Sequence, residues 1–369
     1  MNKIPLLFVS VDALGRKMTK EAKTPFIDYI KKNGNNVENA TSCFPTLTTP
    51  MMSTILTGCY PEKHGINCNS KFRKDIQKIE GKLRDLKTET ISDILRTEGY
   101  RTLSVQHFMI EGRVDKYLQI DGSKSELNTK TIIQSLQKNK FDAVFTIYQA
   151  VDYFGHKTGP FSKKTISEIE KVDHELEKLV SFLNEYWEDF LFVLTSDHSM
   201  SLAYKSTKFD LKAKLKNIGL KGKYYNVGQD VEKSTDCVLL KYPTVSIFLN
   251  SEKAKQSERE ILKMLKSEKD IEKVYSKQEM HNLGNGEYAD IAYYLKEGFS
   301  HFPSILHKFK KFGYHGTENE SDSTICYWGN GVDNYNIQNS NLTDIVPSCL
   351  DYLELNFKKE RFDGKSTRR

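Results

Sequence analysis

The sequence has no apolar run long enough to cross a bilayer as a helix, which takes roughly 18 consecutive apolar residues. The apolar stretch Ile4–Val11 near the N-terminus is interrupted by Pro5 and Ser10 and is followed at once by Asp12. No small-residue cleavage site separates it from the charged segment Arg16–Lys23, so it reads as a buried strand and not as a signal peptide. Cysteine is sparse and scattered: Cys43, Cys59, Cys68, Cys237, Cys326 and Cys349, with no C-x-x-C pair. With no export signal, that usage predicts a reduced, cytoplasmic chain. A dominant charge of one sign is also missing. Lys plus Arg is 55 and Asp plus Glu is 49, a net charge of +6. A dedicated nucleic-acid binder carries a denser basic balance, so no stable nucleic-acid complex is expected. Internal repeats and low-complexity tracts are absent.

What the 369 residues do contain is a core. The hydrophobic fraction is 38%, with 11% aromatics, enough at this length to exclude disorder as the main state. Short apolar runs at Ile4–Val11, Thr102–Val105, Ala143–Tyr148 and Phe190–Thr195 read as fully buried strands. Between them lie helical patterns at Thr90–Glu98, Thr129–Gln137 and, most clearly, Ser162–Glu185. In the last, Ile166, Ile169, Val172, Leu176, Leu179 and Leu183 recur every three or four residues. Strands alternating with helices predict an α/β fold, a mostly parallel central sheet with helices on both faces. The texture changes after about Ser201. The Lys-rich stretch Phe209–Lys233 lacks a clean period, and its Lys212–Lys223 part reads as a solvated face. Strand-like Cys237–Leu240, Val245–Leu249 and Ile271–Tyr275 flank a helical Glu252–Leu265. Residues 1–204 and 300–369 are therefore expected to form the core, with 205–299 a small α+β cap inserted into it. Strand Thr324–Trp328 and a closing helix near Leu342–Leu353 return the chain to the core.

The chemistry gathers at strand ends. Asp12 ends the first strand; Asp197 and His198 end another; Asp152 and His156 follow a third. His315 sits in a glycine-flanked loop, Gly313-Tyr-His315-Gly316. Carboxyl ends of parallel strands share one edge of the sheet, where ligand sites form, so these groups can meet. Carboxylate oxygen and imidazole nitrogen suit a borderline-soft divalent metal such as Zn²⁺. Three Asp and three His exceed one tetrahedral set and suit two adjacent cations. The segment Phe44–Gly58 adds a hydroxyl. Pro50 fits the first turn of a helix and Gly58 its end, which places Thr48 at the helix N-terminus, where free N–H groups and the dipole favour a bound phosphate. The plainer alternative is that Thr48 or Thr49 only caps the helix.

The motifs run in a telling order: Val-Asp12-Ala-Leu, Pro-Thr-x-Thr48-x-Pro, Thr-Gly58-x-Tyr-Pro61-x-x-His-Gly65, Asp152-x-x-Gly-His156-x-x-Gly-Pro160, Ser-Asp197-His198 and His315-Gly316. This set resembles the alkaline phosphatase superfamily, most of all its nucleotide pyrophosphatase/phosphodiesterase branch. It is also similar to the phosphonoacetate hydrolases. The closing segment with Asp344, Phe362 and Asp363 matches the superfamily's last helix and loop. The resemblance implies two divalent metals, usually Zn²⁺, with Mn²⁺ as the alternative. It assigns Asp152, His156 and His315 to one and Asp12, Asp197, His198 and the Thr48 oxygen to the other. Thr48 matches the nucleophile, which forms a phosphothreonine that is then hydrolysed.

The same resemblance places an asparagine three residues after the nucleophile, where this chain has Met51. Arg16 and Lys157 are the candidate replacements for its phosphate contact. Tyr148, Tyr153 and Phe154 flank Asp152 and could stack on a flat leaving group or simply pack beneath the site. Two divalent cations against three aspartates and a threonine alkoxide leave the site near neutral, which suits a monoanionic diester over a dianionic monoester. The expected substrate is thus a small phosphate ester or nucleotide-like molecule. The alternatives are a C–P hydrolase, a phosphomonoesterase, or a metal-binding homologue with impaired catalysis.

Overall fold

A computed structural model describes residues 3–301 and 312–368. Residues 1–2, 302–311 and 369, which fall in the segments read as core, lie outside the described residues. Strands Leu6–Val11, Ala143–Tyr148 and Leu191–Thr195 are buried at every position, as continuous apolar runs predict for strands covered on both faces. Successive side chains point to opposite faces. Leu6 and Phe8 join Phe145, Leu191, Met51 and Ile55 in one core, while Leu7, Val9 and Val11 join Val144, Phe192, Ile169 and Leu176 in the other.

Among the described residues the main sheet has eight strands. From edge to edge they are Ile337–Asn341, Asn35–Thr41, Ile325–Gly329, Leu191–Thr195, Leu6–Val11, Ala143–Tyr148, Thr102–Val105 and Lys116–Leu118. All run one way except Ile325–Gly329, which is antiparallel to both neighbours. Helices Thr48–Thr57, Ile91–Thr97 and Ile345–Tyr352 contribute to the first core; Pro25–Asn33, Ser125–Lys138 and Lys163–Tyr186 contribute to the second. Ser162 caps the longest of these, its side chain accepting from the Thr165 N–H. No described helix is long and apolar enough to cross a membrane. All six cysteines are buried and unpaired.

A second, five-stranded sheet runs in the order Gly222–Tyr224, Cys237–Leu240, Thr244–Leu249, Ile291–Leu295, Ile271–Ser276. One face packs on Leu211, Leu215, Ile261 and Leu265 from its own helices. The other shares a cluster with Phe44 and Leu47, and the Phe44 and Tyr275 rings stand 4.7 Å apart. The second sheet is thereby seated beside the residue that precedes Thr48. The chain leaves the main sheet and returns to it through a paired neck. Ser201–Ala203 runs antiparallel to Phe312–Tyr314, and Lys205–Ser206 parallel to Phe299–Ser300.

Two elements differ from the sequence expectation. The helix expected over Glu252–Leu265 is two, Glu252–Gln256 and Glu258–Lys266, because Ser257 leaves helical geometry at φ −90°, ψ 6°. The stretch Phe209–Lys233 contains a helix, Leu211–Asn217, capped by the Asp210 carboxylate.

Candidate active site

Three neighbouring strands carry the site. Leu6–Val11 lies between Leu191–Thr195 and Ala143–Tyr148, parallel to both, with Val11 beside Tyr148 and Ser10 beside Thr195. Adjacent strands are about 4.8 Å apart, so the residues just past their ends are close neighbours. Asp12 turns away from its strand through Ala13, which adopts a left-handed φ of 66°. That turn aims the Ala13 N–H at Asp197 Oδ1, 3.1 Å away. Past the third strand begins helix Ala150–Thr158. Its Asp152 and His156 are four residues apart and share a face, with Oδ1 and Nε2 separated by 3.3 Å.

His315 comes from the neck, immediately after Phe312–Tyr314. That strand approaches helix Ala150–Thr158 closely: a Cβ at Gly313 would stand 2.6 Å from the Gly155 carbonyl oxygen, and one at Gly155 would stand 2.3 Å from Met200 Sδ. Glycine at 313 permits the approach, and glycine at 155 makes room for Met200 beside it; His315 Nε2 stands 3.1 Å from His156 Nε2 and 3.5 Å from Asp152 Oδ1. Two lone-pair nitrogens and a carboxylate oxygen so placed converge on one point.

The donors fall into two trios, Asp152, His156, His315 and Asp12, Asp197, His198. Within each trio the ligand atoms lie within 4.8 Å of one another. His198 Nε2 is 3.0 Å from Asp197 Oδ2 and 3.7 Å from Asp12 Oδ1. The trios adjoin, because the His198 and His315 rings stack with centroids 3.7 Å apart. Each histidine has its Nδ1 on a backbone carbonyl: His156 on Gly313 at 2.9 Å, His198 on Ser199 at 3.1 Å, His315 on Thr46 at 2.8 Å. A carbonyl only accepts, so Nδ1 carries the proton and Nε2 offers its lone pair inward. Asp12 Oδ1, Asp152 Oδ1 and Asp197 Oδ2 are buried with no hydrogen-bond partner. Buried carboxylate oxygens are costly unless compensated, and these sit where a cation would take them. The residues present therefore fit two divalent ions.

Packed this closely, the ionisable groups of the trios shift one another. Burial, then the charges of Asp197 and Asp152, push the Asp12 carboxyl well above the usual range. Burial would also raise Asp152, but His156, His315 and His198 outweigh it and hold it at about 2. Burial depresses His156 and His198, yet Asp152 and Asp197 respectively outweigh it and leave both raised. His315 is driven well below its ordinary value by burial and then by His198.

Thr48 opens helix Thr48–Thr57, which ends at Gly58 in a left-handed conformation, φ 66°. The cap is Leu47, without a side-chain hydrogen bond, so Thr48 does not cap this helix. Its Oγ1 is instead 3.3 Å from His198 Nε2. The hydroxyl, the helix N-terminus and both trios share one site.

The four substrate-contact candidates do not join them. Met51 is fully buried in the first core, on the apolar face that its place in the helix gives it. Tyr148 is fully buried in the second, its hydroxyl paired with that of Thr129 at 3.0 Å. Arg16 is spent on Asp322, the Glu38 carbonyl and Asn39. Lys157 lies over the Tyr153 ring, 3.9 Å from its centroid, and reaches that residue's hydroxyl. Asn69, which the sequence reading missed, stands nearer: its Oδ1 accepts from the Thr49 N–H at 3.2 Å, leaving the amide NH₂ at the helix N-terminus. The interval from Thr48 to Asn69 follows no local spacing rule, which is why periodicity could not find it.

A sequence profile described as type I phosphodiesterase / nucleotide pyrophosphatase matches residues 6–318. The chain belongs to that family. The human bis(5'-adenosyl)-triphosphatase ENPP4 is 28% identical over 214 residues, 53% of this chain and 47% of that protein. Ectonucleotide pyrophosphatase/phosphodiesterase family member 7 from Rattus norvegicus is 24% identical over 224 residues, 54% of this chain and 51% of that protein. The chain spans about half the length of these curated relatives. Murine ectonucleotide pyrophosphatase/phosphodiesterase 5, solved as an inactive threonine-to-alanine variant with AMP, shares the fold. Its TM-score is 0.76 at 21% identity, over 99% of this chain and 98% of that one. Wild-type alkaline phosphatase PafA does so with a TM-score of 0.73 at 14% identity, covering 100% and 99%.

Proposed function

We propose that the protein is a two-metal phosphodiesterase or nucleotide pyrophosphatase that uses Thr48 as its nucleophile. The observation that carries the reading is the convergence of three unpartnered buried carboxylate oxygens and three inward Nε2 atoms around one threonine hydroxyl. Asp12, Asp197 and His198 would hold one cation with the Thr48 oxygen; Asp152, His156 and His315 would hold the other. Two divalent ions, Zn²⁺ by the oxygen and nitrogen donor set with Mn²⁺ also suited, would supply Lewis acidity to the hydroxyl, the phosphoryl oxygens and the leaving oxygen. Thr48 Oγ1 bonds to phosphorus in line with the leaving alcohol, whose P–O bond breaks. Water then breaks the Thr48–phosphate bond and releases a monoester. The helix N-terminus and the Asn69 amide hold a non-bridging oxygen during both displacements. Among relatives, the inactive variant of the murine protein replaces a threonine and was solved with AMP, which supports a threonine nucleophile and a nucleotide-like substrate here.

A diester is favoured over a monoester because Arg16 and Lys157 are engaged elsewhere, and neither adds charge at the site. Selectivity is assigned to the inserted 205–299 segment. Its Tyr242, Pro243 and Phe299 line, with Phe312 and Tyr314, an apolar cavity of about 290 Å³ that reaches the residue before His315. The test is turnover of a chromogenic diester, a monoester, a nucleotide pyrophosphate and a phosphonate by metal-loaded protein, compared by kcat/KM. Thr48→Ala is expected to keep two metal equivalents and lose at least about 10³-fold in kcat. Full activity in that variant overturns the assignment.

A further inference from the structure

Thr48 and His315 reach the site on separate segments of the chain, and one buried residue fastens those segments together. Thr46, two positions before Thr48, is 1% exposed and engages the His315 loop with both its main chain and its side chain. Its carbonyl accepts from His315 Nδ1 at 2.8 Å. Its Oγ1 accepts from the Gly316 N–H at 3.0 Å and donates to the Thr317 carbonyl at 2.7 Å. A backbone N–H only donates and a carbonyl only accepts, so the hydroxyl proton has one allowed direction. A single threonine thus holds three consecutive residues. A side chain without the hydroxyl would leave one buried donor and one buried acceptor unmet.

The loop is held from its other sides as well. Gly316 has a φ of 125°, a conformation that favours glycine, and a Cβ there would stand 3.0 Å from Leu47 Cδ2. The loop therefore lies directly against the residue that caps the Thr48 helix. Thr244, which opens strand Thr244–Leu249 of the insert, donates from its hydroxyl to the Gly316 carbonyl. Its own carbonyl accepts from the buried Tyr288 hydroxyl at 2.9 Å. Glu320 Oε2 accepts from the Thr317 N–H at 3.0 Å and from the Thr317 hydroxyl at 2.7 Å. The Gly316 N–H is thus held by a hydroxyl on the nucleophile segment and its carbonyl by a hydroxyl of the insert.

We infer that Thr46 is a positioning residue whose hydroxyl fixes the His315 loop against the nucleophile segment, with Thr244 holding the same loop from the insert. The inference rests on the proposed reading of Thr48 as nucleophile and His315 as a metal ligand. The carbonyl of Thr46 fixes the tautomer of His315 through one bond; the two bonds of its hydroxyl fix the register of the backbone that carries His315. Thr46 acts through these neighbours and not on a reacting atom. Rate depends steeply on such register, since a misplacement of about 1 Å costs about 10²-fold. Partners that touch a ligand and not the metal typically change metal affinity or activity by about 10–100-fold when removed.

The test compares Thr46→Val, which keeps the branched shape and removes the hydroxyl, with Thr46→Ser, which keeps the hydroxyl and removes the methyl. Metal-free full-length protein is titrated with Co²⁺, followed by visible absorption against a competing chelator, and diester turnover is measured on metal-loaded protein. Wild type is expected to take two equivalents. Thr46→Val is expected to weaken one equivalent about 10–100-fold, to leave the other unchanged, and to lower kcat about 10–100-fold with KM moved less than about threefold. Thr46→Ser is expected to stay within about threefold of wild type in both readouts. A packing role gives the opposite order, because serine loses the contact that valine keeps. Thr244→Val is expected to weaken the same equivalent by a smaller factor, and it carries the test should Thr46→Val fail to fold. Wild-type affinity and kcat in the folded valine variants, or a loss in Thr46→Ser as large as that in Thr46→Val, overturns the inference and leaves the proposed function standing. A wild-type protein that takes fewer than two equivalents overturns both.

Discussion

The two trios are chemically unequal. Asp12, Asp197 and His198 are all buried, whereas in the other trio Asp152 is half-buried, His156 exposed and only His315 buried. The sealed trio carries two carboxylates and one imidazole on strand ends; the open one carries one carboxylate and two imidazoles on a helix and a neck loop. A cation in the sealed trio would be held by more charge in a drier setting, where electrostatic attraction is stronger, beside the Thr48 hydroxyl. One in the open trio would lie nearer solvent, where the attraction is more screened and its remaining ligands exchange more readily. The difference follows from topology. Three adjacent parallel strands bury whatever follows them, while helix Ala150–Thr158 carries His156 out to the surface.

The largest expected effect breaks that contrast directly. Asp197→Ala removes a ligand from the sealed trio and leaves the Ala13 N–H without its acceptor. It is expected to abolish one metal equivalent and to lower kcat at least about 10³-fold. His156→Ala is expected to weaken the other equivalent while leaving the first bound. Metal analysis after stepwise chelation checks this, with the open position emptying first in wild type. Simultaneous release of both ions would mean that the trios are not unequal in the way their burial implies.

A moderate effect sharpens it through pH. In metal-free protein the folded Asp12 value lies above the ordinary 3.8. Its carboxyl therefore binds a proton more readily folded than unfolded, and stability falls as pH rises from 3.8 through that raised value. Asp152 is the reverse. Its folded value is about 2, so its interactions contribute stability above 3.8 that is lost as pH falls toward 2. Asp12→Asn is thus expected to raise the metal-free melting temperature at pH 7, and Asp152→Asn to lower it, with the latter difference vanishing near pH 2. Melting curves of chelated protein across this range decide it; shifts of the same sign at pH 7 would refute the opposition.

How legible these features were in the sequence depended on whether the signal was local. Leu6–Val11, Thr102–Val105, Ala143–Tyr148 and Leu191–Thr195 are continuous apolar runs, and the helix starting at Lys163 shows its stripe plainly. The strand Asn35–Thr41, next to the sheet edge and with the sequence NNVENAT, carries almost no apolar pattern. Main-chain pairing with Ile337–Asn341 defines it, and no sequence window contains both. The trio residues announced themselves because strand ends and glycine loops mark them. Asn69 did not, since an amide carries no periodicity and its meaning lies in which donor faces which acceptor. Met51 failed as a substrate contact because its position on helix Thr48–Thr57 turns it into the core.

The smallest expected effect lies at the rim of the open trio. Lys157 follows His156 directly, yet its ammonium is occupied by the ring and hydroxyl of Tyr153 on an exposed surface, an arrangement that contributes at most about 1 kcal/mol. Lys157→Ala is therefore expected to change kcat/KM for a diester less than about threefold and to leave metal content and melting temperature near wild type. A substrate with a second anionic group offers the ammonium a competing partner. A loss confined to that substrate, read as a rise in KM with kcat unchanged, would show that Lys157 exchanges Tyr153 for substrate charge. The open trio would then have an anion contact at its rim that the sealed one cannot have, and the asymmetry between them would extend from metal binding to substrate choice.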